Sequence, residues 1–273
     1  MPLLLLRLLI EKLNSRSSRT GHNCPASANA ATVPALLARG FFALLMMHSA
    51  QALAGNISVY PLRVNMDATR NSESLTVRNQ SDEPLLLQPT VVKWSQKDGK
   101  DLYEPTRDVL VSPALIEVPG RESQVVRLSL RRAPDASNEL AYRVMLREVP
   151  KPATGPKSAI VIALNISLPI FIAPISGEAR GSFEVSGANL VSETGGSTMM
   201  MTLNNRSKAH IQIKNFALSE AGSPFAEYSK MLYILPGDST TIHVPVARKL
   251  SSKSVRIDAQ TDSGPMAQEL KLP

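Results

Sequence analysis

The residues best suited to chemistry are few and widely separated in this sequence of 273 residues. His210 and His243 are isolated histidines on predicted strands, where a histidine is more often packed or solvated than catalytic. The methionines Met199 to Met201 offer soft metal ligands. Neighbouring strand residues point to opposite faces, however, so we expect these methionines to pack in a core. The sequence contains no glycine-rich phosphate loop, G-x-S-x-G elbow or H-E-x-x-H motif. These observations predict a protein that is not an enzyme and that binds no cofactor and no metal ion.

A secretory signal is predicted in residues 1–54. Arg39 precedes the apolar segment Gly40 to Met47, and Ala52-Leu53-Ala54 forms an A-x-A site, so we expect cleavage between Ala54 and Gly55. An ordinary signal would begin near Val33, which leaves two alternatives, a later translation start or a long leader. Cleavage removes the only cysteine, so the exported chain is expected to contain no disulfide bond.

The net charge of the exported chain argues against two kinds of partner. The whole chain carries a formal charge of +7, and the leader holds five basic residues and one acidic residue, which leaves +3 for the remainder. So small a positive charge does not favour nucleic acid or anionic lipid. We therefore expect no nucleic-acid partner and no membrane insertion of the exported chain.

The elements that would position a binding site are short β-strands. Apolar runs alternate with turn sequences such as Lys97-Asp98-Gly99-Lys100, which is typical of a sandwich or barrel. The pattern restarts after Ala173 to Gly177, interpreted as a hinge, so we predict an all-β protein with two domains, residues 55–174 and 175–273. The predicted strands are Ile57–Met66, Ser74–Arg78, Leu85–Trp94, Gln124–Leu130, Tyr142–Val149, Ile160–Ile172, Ser182–Ser186, Ser197–Asn204, Ile211–Ser219, Met231–Leu235, Thr240–Val246, Ser254–Gln260 and Gln268–Leu272.

The segment Ala159 to Ile172 has the clearest strand pattern in the chain. Large aliphatic residues occupy every second position from Ile160 to Leu168, which places them on one face of an extended strand. The preceding segment Pro150 to Lys157 contains three prolines and a glycine, and we interpret it as a loop at the tip of a long hairpin. From the residues alone, the strand either belongs to the protein's own core or is an edge strand lent to another protein.

The sequence resembles the PapD-like periplasmic chaperones of the chaperone–usher pilus pathway. The residues that carry the resemblance lie along the whole of 55–273, and the hairpin Tyr142–Pro174 is the most specific part. They are Arg63 on the opening strand, Pro119-Gly120, Val126-Arg127-Leu128, Leu146–Pro150, the strand Ile160–Leu168, Pro174, Asn204-Asn205, Leu235-Pro236-Gly237 and the turn Asp262–Gly264.

The resemblance implies two immunoglobulin-like sandwiches joined at an angle with a cleft between them. It also implies a periplasmic chaperone that lends an edge strand to incomplete pilus or fimbrial subunits and delivers them to an outer-membrane usher. The side chains that would enter the subunit are Ile160, Ile162, Leu164 and Ile166. Such an apolar edge is expected to be capped by self-association, as a homodimer, when no subunit is bound.

The resemblance further implies basic residues that hold the C-terminal carboxylate of the subunit. Arg63 matches the first of these, and its planar guanidinium suits a carboxylate. Pro169 stands where the family has a lysine and Ala173 where it often has an arginine, so Arg143 is predicted to replace them. The motif Ser167–Phe171 resembles the archaic, spore-coat-type branch, and Arg127 is expected to support the first domain structurally.

A structural pilin or adhesin with immunoglobulin-like domains is the alternative function. A donor-type subunit is expected to carry a free alternating strand directly after its signal peptide. Here the strongest alternating strand, Ile160–Ile172, lies in the middle of the chain. The position of this strand therefore favours the chaperone.

Overall fold

A computed structural model describes residues 57–150, 163–177, 180–193 and 196–273. These residues form β-strands joined by turns and loops, and residues 54–273 belong to one compact unit. In the described part of the chain, no helix has both the length and the apolar character needed to cross a bilayer. The strands are β1 (Ile57–Tyr60), β2 (Val64–Met66), β3 (Ser72–Asn79), β4 (Leu85–Lys97), β5 (Lys100–Pro105), β6 (Val109–Ser112), β7 (Ile116–Val118), β8 (Ser123–Leu130), β9 (Leu140–Glu148), β10 (Asn165–Ile172), β11 (Glu184–Glu193), β12 (Gly196–Asn204), β13 (Ile211–Glu220), β14 (Ser223–Tyr228), β15 (Leu232–Ile234), β16 (Ser239–Val246), β17 (Ser254–Thr261) and β18 (Gly264–Lys271).

The first domain is a sandwich of two sheets. One sheet has the order β1-β3-β8-β6, and the other has the order β2-β10-β9-β4-β5 with β7 also paired to β4. Buried residues alternate with more exposed ones in β3 from Leu75 to Asn79, in β8 from Val126 to Leu128 and in β9 from Tyr142 to Leu146, as expected for strands with one face on a core. Their aliphatic side chains, with Leu87, Ile170 and Ile172, form one continuous apolar core between the sheets.

The opening strand predicted over Ile57–Met66 is wrong, because the structure divides it into two strands in different sheets. Val59 and Val64 both lie in the core. They are five residues apart, and an uninterrupted strand would place them on opposite faces. The chain therefore crosses from β1 to β2 through residues 61–63. Arg63 lies in this crossing and not on the opening strand.

The second domain is a smaller sandwich with sheets β11-β12-β16 and β14-β13-β17-β18, and β15 also pairs with β13. Met199 and Met201 are fully buried in its core, which confirms the predicted packing role for two of the three methionines, and Met200 between them is half-buried. The fold class is confirmed as all-β with two sandwiches. The predicted domain boundary after residue 174 falls in the segment between β10 and β11.

Turn chemistry was easier to predict than exposed strands. The predicted turn at Lys97–Lys100 joins β4 to β5, and Asp98 and Gly99 have the positive φ angles, 52° and 72°, of a tight hairpin turn. Strand β5 itself was not predicted, because all of its residues are exposed and no apolar alternation marks it. In this sheet, β9 lies between β4 and β10.

Candidate functional site

Strand β10 is paired on both sides at one end only. Residues Ile170 to Ile172 pair with β9 and, in parallel, with β2. Residues Asn165 to Pro169 pair with β9, and among the described strands none pairs with their other edge. This stretch is therefore a free sheet edge, with backbone groups available to another strand.

The apolar row of β10 becomes steadily more exposed towards the N-terminal end of the strand, where the sheet edge is free. The exposed fraction is 0% at Ile170 and 6% at Leu168, Ile166 is half-buried, and Leu164 reaches 39%. These residues share one face, because they are two positions apart. The row thus starts in the protein's own core and continues outward as an unfilled apolar surface.

Of the four residues predicted to enter the subunit, the structure describes only the last two, Leu164 and Ile166. Ile160 and Ile162 lie outside the described residues, as does most of the predicted loop Pro150–Lys157. Leu164 continues the hairpin with β9, since the Glu148 amide donates a hydrogen bond of 2.8 Å to the Leu164 carbonyl oxygen. The Leu164 amide in turn donates to Glu148 Oε2 at 2.9 Å. The assignment of these residues to subunit binding stays a prediction.

The two predicted anchor residues line the same cavity, of about 720 Å³, between the domains. Arg63 comes from the β1–β2 crossing and Arg143 from β9, and the second domain contributes Tyr233 of β15. Pro169 of the free edge also lines this cavity. The structure therefore places both arginines beside the free edge of β10, and their anchoring role stays a prediction. Arg127 lies exposed on β8, in the opposite sheet.

Arg143 lies directly opposite Pro169 in the β9–β10 register. Opposed residues of antiparallel strands point to the same face. The Arg143 guanidinium carbon lies 4.0 Å from the centre of the Trp94 ring, and Nη1 donates to Ser167 Oγ at 3.2 Å. Its Nε atom is buried and has no hydrogen-bond partner among the described residues. Stacking on indole holds the charge in place, so Arg143 can supply a cation on the face where Pro169 supplies none.

Arg63 is engaged by a carboxylate of the second domain. Its Nη1 donates to Asp262 Oδ2 at 2.7 Å, and its side chain remains 36% exposed while that of Asp262 is 13% exposed. Asp262 lies in the turn between β17 and β18. One guanidinium has five N–H donors, so this bond leaves further donors of Arg63 for a ligand.

His210 joins the two domains in an arrangement that the sequence did not predict. Its Nδ1 atom lies 2.7 Å from Glu139 Oε1 of the first domain, and its backbone amide donates to the same oxygen. Its ring stacks on Phe171, with centres 3.5 Å apart and an angle of 4°. Nε2 lies 3.1 Å from Asp262 Oδ2 in ion-pair contact, outside hydrogen-bond geometry. Glu139, His210 and Asp262 are distant in sequence, so no local pattern could have revealed the cluster.

The electrostatics of this cluster favour a charged imidazole. Burial alone would lower the pKa of His210, but the adjacent carboxylates of Asp262 and Glu139 outweigh it and raise the pKa above 6.5. Burial likewise opposes ionisation of Asp262, but His210, the Gln212 amide and Arg63 lower its pKa to about 2. The arrangement therefore alternates in charge across the domain boundary, from Glu139 through His210 and Asp262 to Arg63.

A small aromatic core lies beside the charged cluster and fixes the two domains against each other. Trp94 and Phe171 of the first domain are buried with Leu235 of the second, and Tyr233 packs on them. The Trp94 and Tyr233 rings meet edge to face with centres 5.5 Å apart. Gln96 adds two cross-domain hydrogen bonds, to the Tyr233 carbonyl oxygen at 3.0 Å and from the Leu235 amide at 2.8 Å.

Within the described ranges, no three histidine, cysteine or acidic residues are grouped to hold a metal ion.

Comparison with known proteins gives a family match for the first domain and a shared fold for the described chain. Residues 56–177 match the family described as pili and flagellar-assembly chaperone, PapD N-terminal domain. The fold resembles a chain of the CsuC-CsuE chaperone–tip adhesion subunit pre-assembly complex from archaic chaperone-usher Csu pili of Acinetobacter baumannii. That match has a TM-score of 0.59 and 17% identity, and covers 80% of this chain and 100% of the other.

Two further solved structures share the fold. The YadV chaperone matches with a TM-score of 0.54 and 14% identity, over 80% of this chain and 100% of the other. The Salmonella enterica SafA pilin–SafB chaperone complex matches with a TM-score of 0.52 and 18% identity, over 80% and 97%. No curated protein sequence matches this chain.

The first domain carries the match to the pilus-assembly chaperone family, and the second sandwich completes the fold seen in the solved chaperones. Residues 56–177 match the PapD N-terminal domain family, and the described chain shares the fold of solved pilus chaperones, which agrees with the resemblance seen in the sequence.

Proposed function

We propose that this chaperone binds pilus subunits by lending the edge strand that ends in β10, and that it delivers them to an outer-membrane usher. The observation that carries the proposal is the free edge at Asn165–Pro169 together with the apolar row that leads outward through Ile166 to Leu164. A second strand added to this edge would gain main-chain hydrogen bonds, and the alternating side chains would set its register. The role is one of binding, with no catalytic step.

Known complexes of similar fold support the class of partner. One similar structure is a chaperone with a tip adhesion subunit, and another is a pilin with its chaperone. For this chain we propose pilus or fimbrial subunits as partners. The proposed location is the periplasm. The signal in residues 1–54 would direct export across the inner membrane and would then be cleaved. In the absence of subunit, a second copy of this chain is proposed to cover the same edge as a homodimer.

The energy available from the described part of the row can be bounded. Complete burial of a leucine side chain stabilises by roughly 1.5–3 kcal/mol. Leu164 is 39% exposed, so capture that buries the rest contributes about 0.6–1.2 kcal/mol from this residue. The main contribution is therefore expected from Ile160 and Ile162, together with backbone pairing at about 1 kcal/mol per hydrogen bond.

The cavity beside the free edge is the proposed site for the C-terminal carboxylate of the subunit. Arg63 and Arg143 both line it, and a guanidinium can hold a carboxylate through two parallel hydrogen bonds. Arg143 takes the role of the lysine that Pro169 replaces. Each arginine changed to alanine is expected to weaken capture, and a subunit with an amidated C-terminus should lose the same affinity.

The test of strand lending compares two arginine substitutions on exposed apolar residues. Leu164→Arg places a charge on the lent face, and Val125→Arg places one on β8 in the opposite sheet, where the residue is 46% exposed. Both variants should fold, because neither residue belongs to the buried core. Leu164→Arg should fail to co-purify with a co-expressed pilus subunit, while Val125→Arg should retain it, since a charge buried in an apolar groove costs several kcal/mol.

The result of this comparison is decisive in either direction. Equal retention of subunit by both variants would show that the row is not lent. Unfolding of Leu164→Arg would show that Leu164 belongs to the protein's own core; Leu164→Ala then measures binding without a buried charge. That variant should weaken capture about three- to eightfold, the equivalent of about 0.6–1.2 kcal/mol.

A further inference from the structure

One carboxylate oxygen, Oδ2 of Asp262, contacts both His210 at the domain boundary and Arg63 of the proposed anchor. Arg63 Nη1 and His210 Nε2 both lie close to Asp262 Oδ2, at 2.7 Å and 3.1 Å. The other ring nitrogen of His210 is held by Glu139. A negatively charged group that binds the remaining donors of Arg63 adds a second anion to this guanidinium and weakens its attraction to Asp262, so the charge balance of Asp262 then depends on His210.

We propose that His210 is a positioning residue for the carboxylate anchor, and that capture of a carboxylate at Arg63 and binding of a proton at His210 strengthen each other. This inference rests on the proposed function, because it assigns Arg63 to the subunit carboxylate. When His210 is charged, Asp262 keeps a cationic partner after Arg63 turns to the ligand. When His210 is neutral, the same change would leave a largely buried carboxylate without a cation, which is costly.

The groups named below that lie against the His210 ring carry either no charge or a negative charge, so they do not supply a cation for Asp262. Its ring is covered by Phe171 on one face, and Tyr233 lies with its ring centre 5.9 Å away. The charged groups in contact with it are Glu139 and Asp262. Further charged residues line the adjoining cavity of about 660 Å³, namely Arg63, Asp67, Arg70 and Arg180.

The direction of the linkage follows from the charges. Removing Arg63 from Asp262, or adding a carboxylate beside it, makes the surroundings of His210 more negative, and both changes raise the pKa of His210. By reciprocity, a proton on His210 strengthens capture by the same factor. Capture is therefore strongest at acidic to neutral pH and weakens as the pH rises through the raised pKa of His210.

The first experiment measures the titration of the His210 ring by NMR in the protein without subunit. Arg63→Ala should raise the proton affinity of His210 about three- to tenfold, which corresponds to a half to one pKa unit. Arg63→Lys keeps a positive charge and should remain close to the wild-type titration. Arg70→Ala is the matched control, because Arg70 lines the same cavity but pairs with Glu73. An unchanged His210 titration in Arg63→Ala would overturn the coupling.

The second experiment uses sodium acetate as the carboxylate probe, with sodium chloride at equal ionic strength as the reference. Acetate should shift the guanidinium signals of Arg63 and raise the proton affinity of His210, and Arg63→Ala should abolish both effects. If the Arg63 signals move while His210 does not, Arg63 binds carboxylates without the proposed linkage. If the Arg63 signals do not move, the anchor role in the proposed function fails, and the linkage to capture fails with it.

The third experiment follows subunit co-purification as a function of pH. Wild type should retain less subunit as the pH rises from 6 to 9, whereas His210→Gln should show a flat profile. His243→Gln is the control, since His243 is exposed on β16 of the second domain. A pH dependence that survives in His210→Gln would exclude His210 as its source.

Discussion

Replacing Asp262 with asparagine tests whether charge at the domain boundary stabilises the protein. Asparagine keeps the size of the side chain and one oxygen but removes the negative charge. In the structure, Asp262 accepts hydrogen bonds from Arg63 and from the Gln212 amide at 2.9 Å, and it lies beside His210. We expect Asp262→Asn to lower the free energy of unfolding at neutral pH.

The size of the effect follows from the pKa of the carboxyl group. A pKa lowered from 3.8 to about 2 corresponds to about 2.5 kcal/mol of preference for the folded state. The partner Arg63 remains 36% exposed, and solvent screening reduces this to about 1–2 kcal/mol. Because the pKa is lowered on folding, the contribution is present above pH 3.8 and is lost as the pH falls through 2.

Urea unfolding at a series of pH values between 7 and 2.5 measures this contribution. The gap between wild type and Asp262→Asn should be about 1–2 kcal/mol from pH 7 to 5 and should shrink below pH 4. Asp258→Asn is the matched control, because Asp258 lies on the neighbouring strand β17 in an exposed pair with Arg256. A gap that stays constant down to pH 2.5 would refute the electrostatic account and would indicate loss of shape or hydrogen bonding instead.

Three further predictions concern the same boundary and its supports. His210→Gln should destabilise most below about pH 6.5, and the charge-dependent part of the difference from wild type should disappear as the pH rises, since the pKa of His210 is raised on folding; urea titrations at pH 6 and 9 measure it. Phe171→Ala should cost about 3–5 kcal/mol of unfolding free energy, because the ring is buried between His210 and Trp94; a cost below about 1 kcal/mol would mean that the boundary repacks. Gly181→Ala should lower the melting temperature by several degrees, because its Cβ would lie 1.8 Å from the His210 carbonyl oxygen; an unchanged melting temperature would show that this backbone can move freely.

Much of the fold could be predicted from local patterns. Period-two alternation marks the strands with one face on a core, such as β8 and β9, and Asp98-Gly99 marks a tight turn. These features depend on residues close together in the chain. Alternation failed where no face is buried, as in β5, and where the chain changes sheets between Val59 and Val64. A pattern of alternation reports which residues share a face but not which strand lies beside them.

The candidate site shows the same division. The sequence by itself determined the apolar row that ends in β10 and the presence of arginines suited to a carboxylate, because residue type and spacing decide both. Only the tertiary structure decided that Arg63 and Arg143 line one cavity, and that Arg143 lies opposite Pro169. Only the tertiary structure decided that His210 lies between Glu139 and Asp262. Arg143 and Pro169 meet through the register of β9 and β10 within the first domain, whereas His210 and Glu139 come from separate domains. Strand register and the packing of two sandwiches bring these residues together, and no local pattern encodes either.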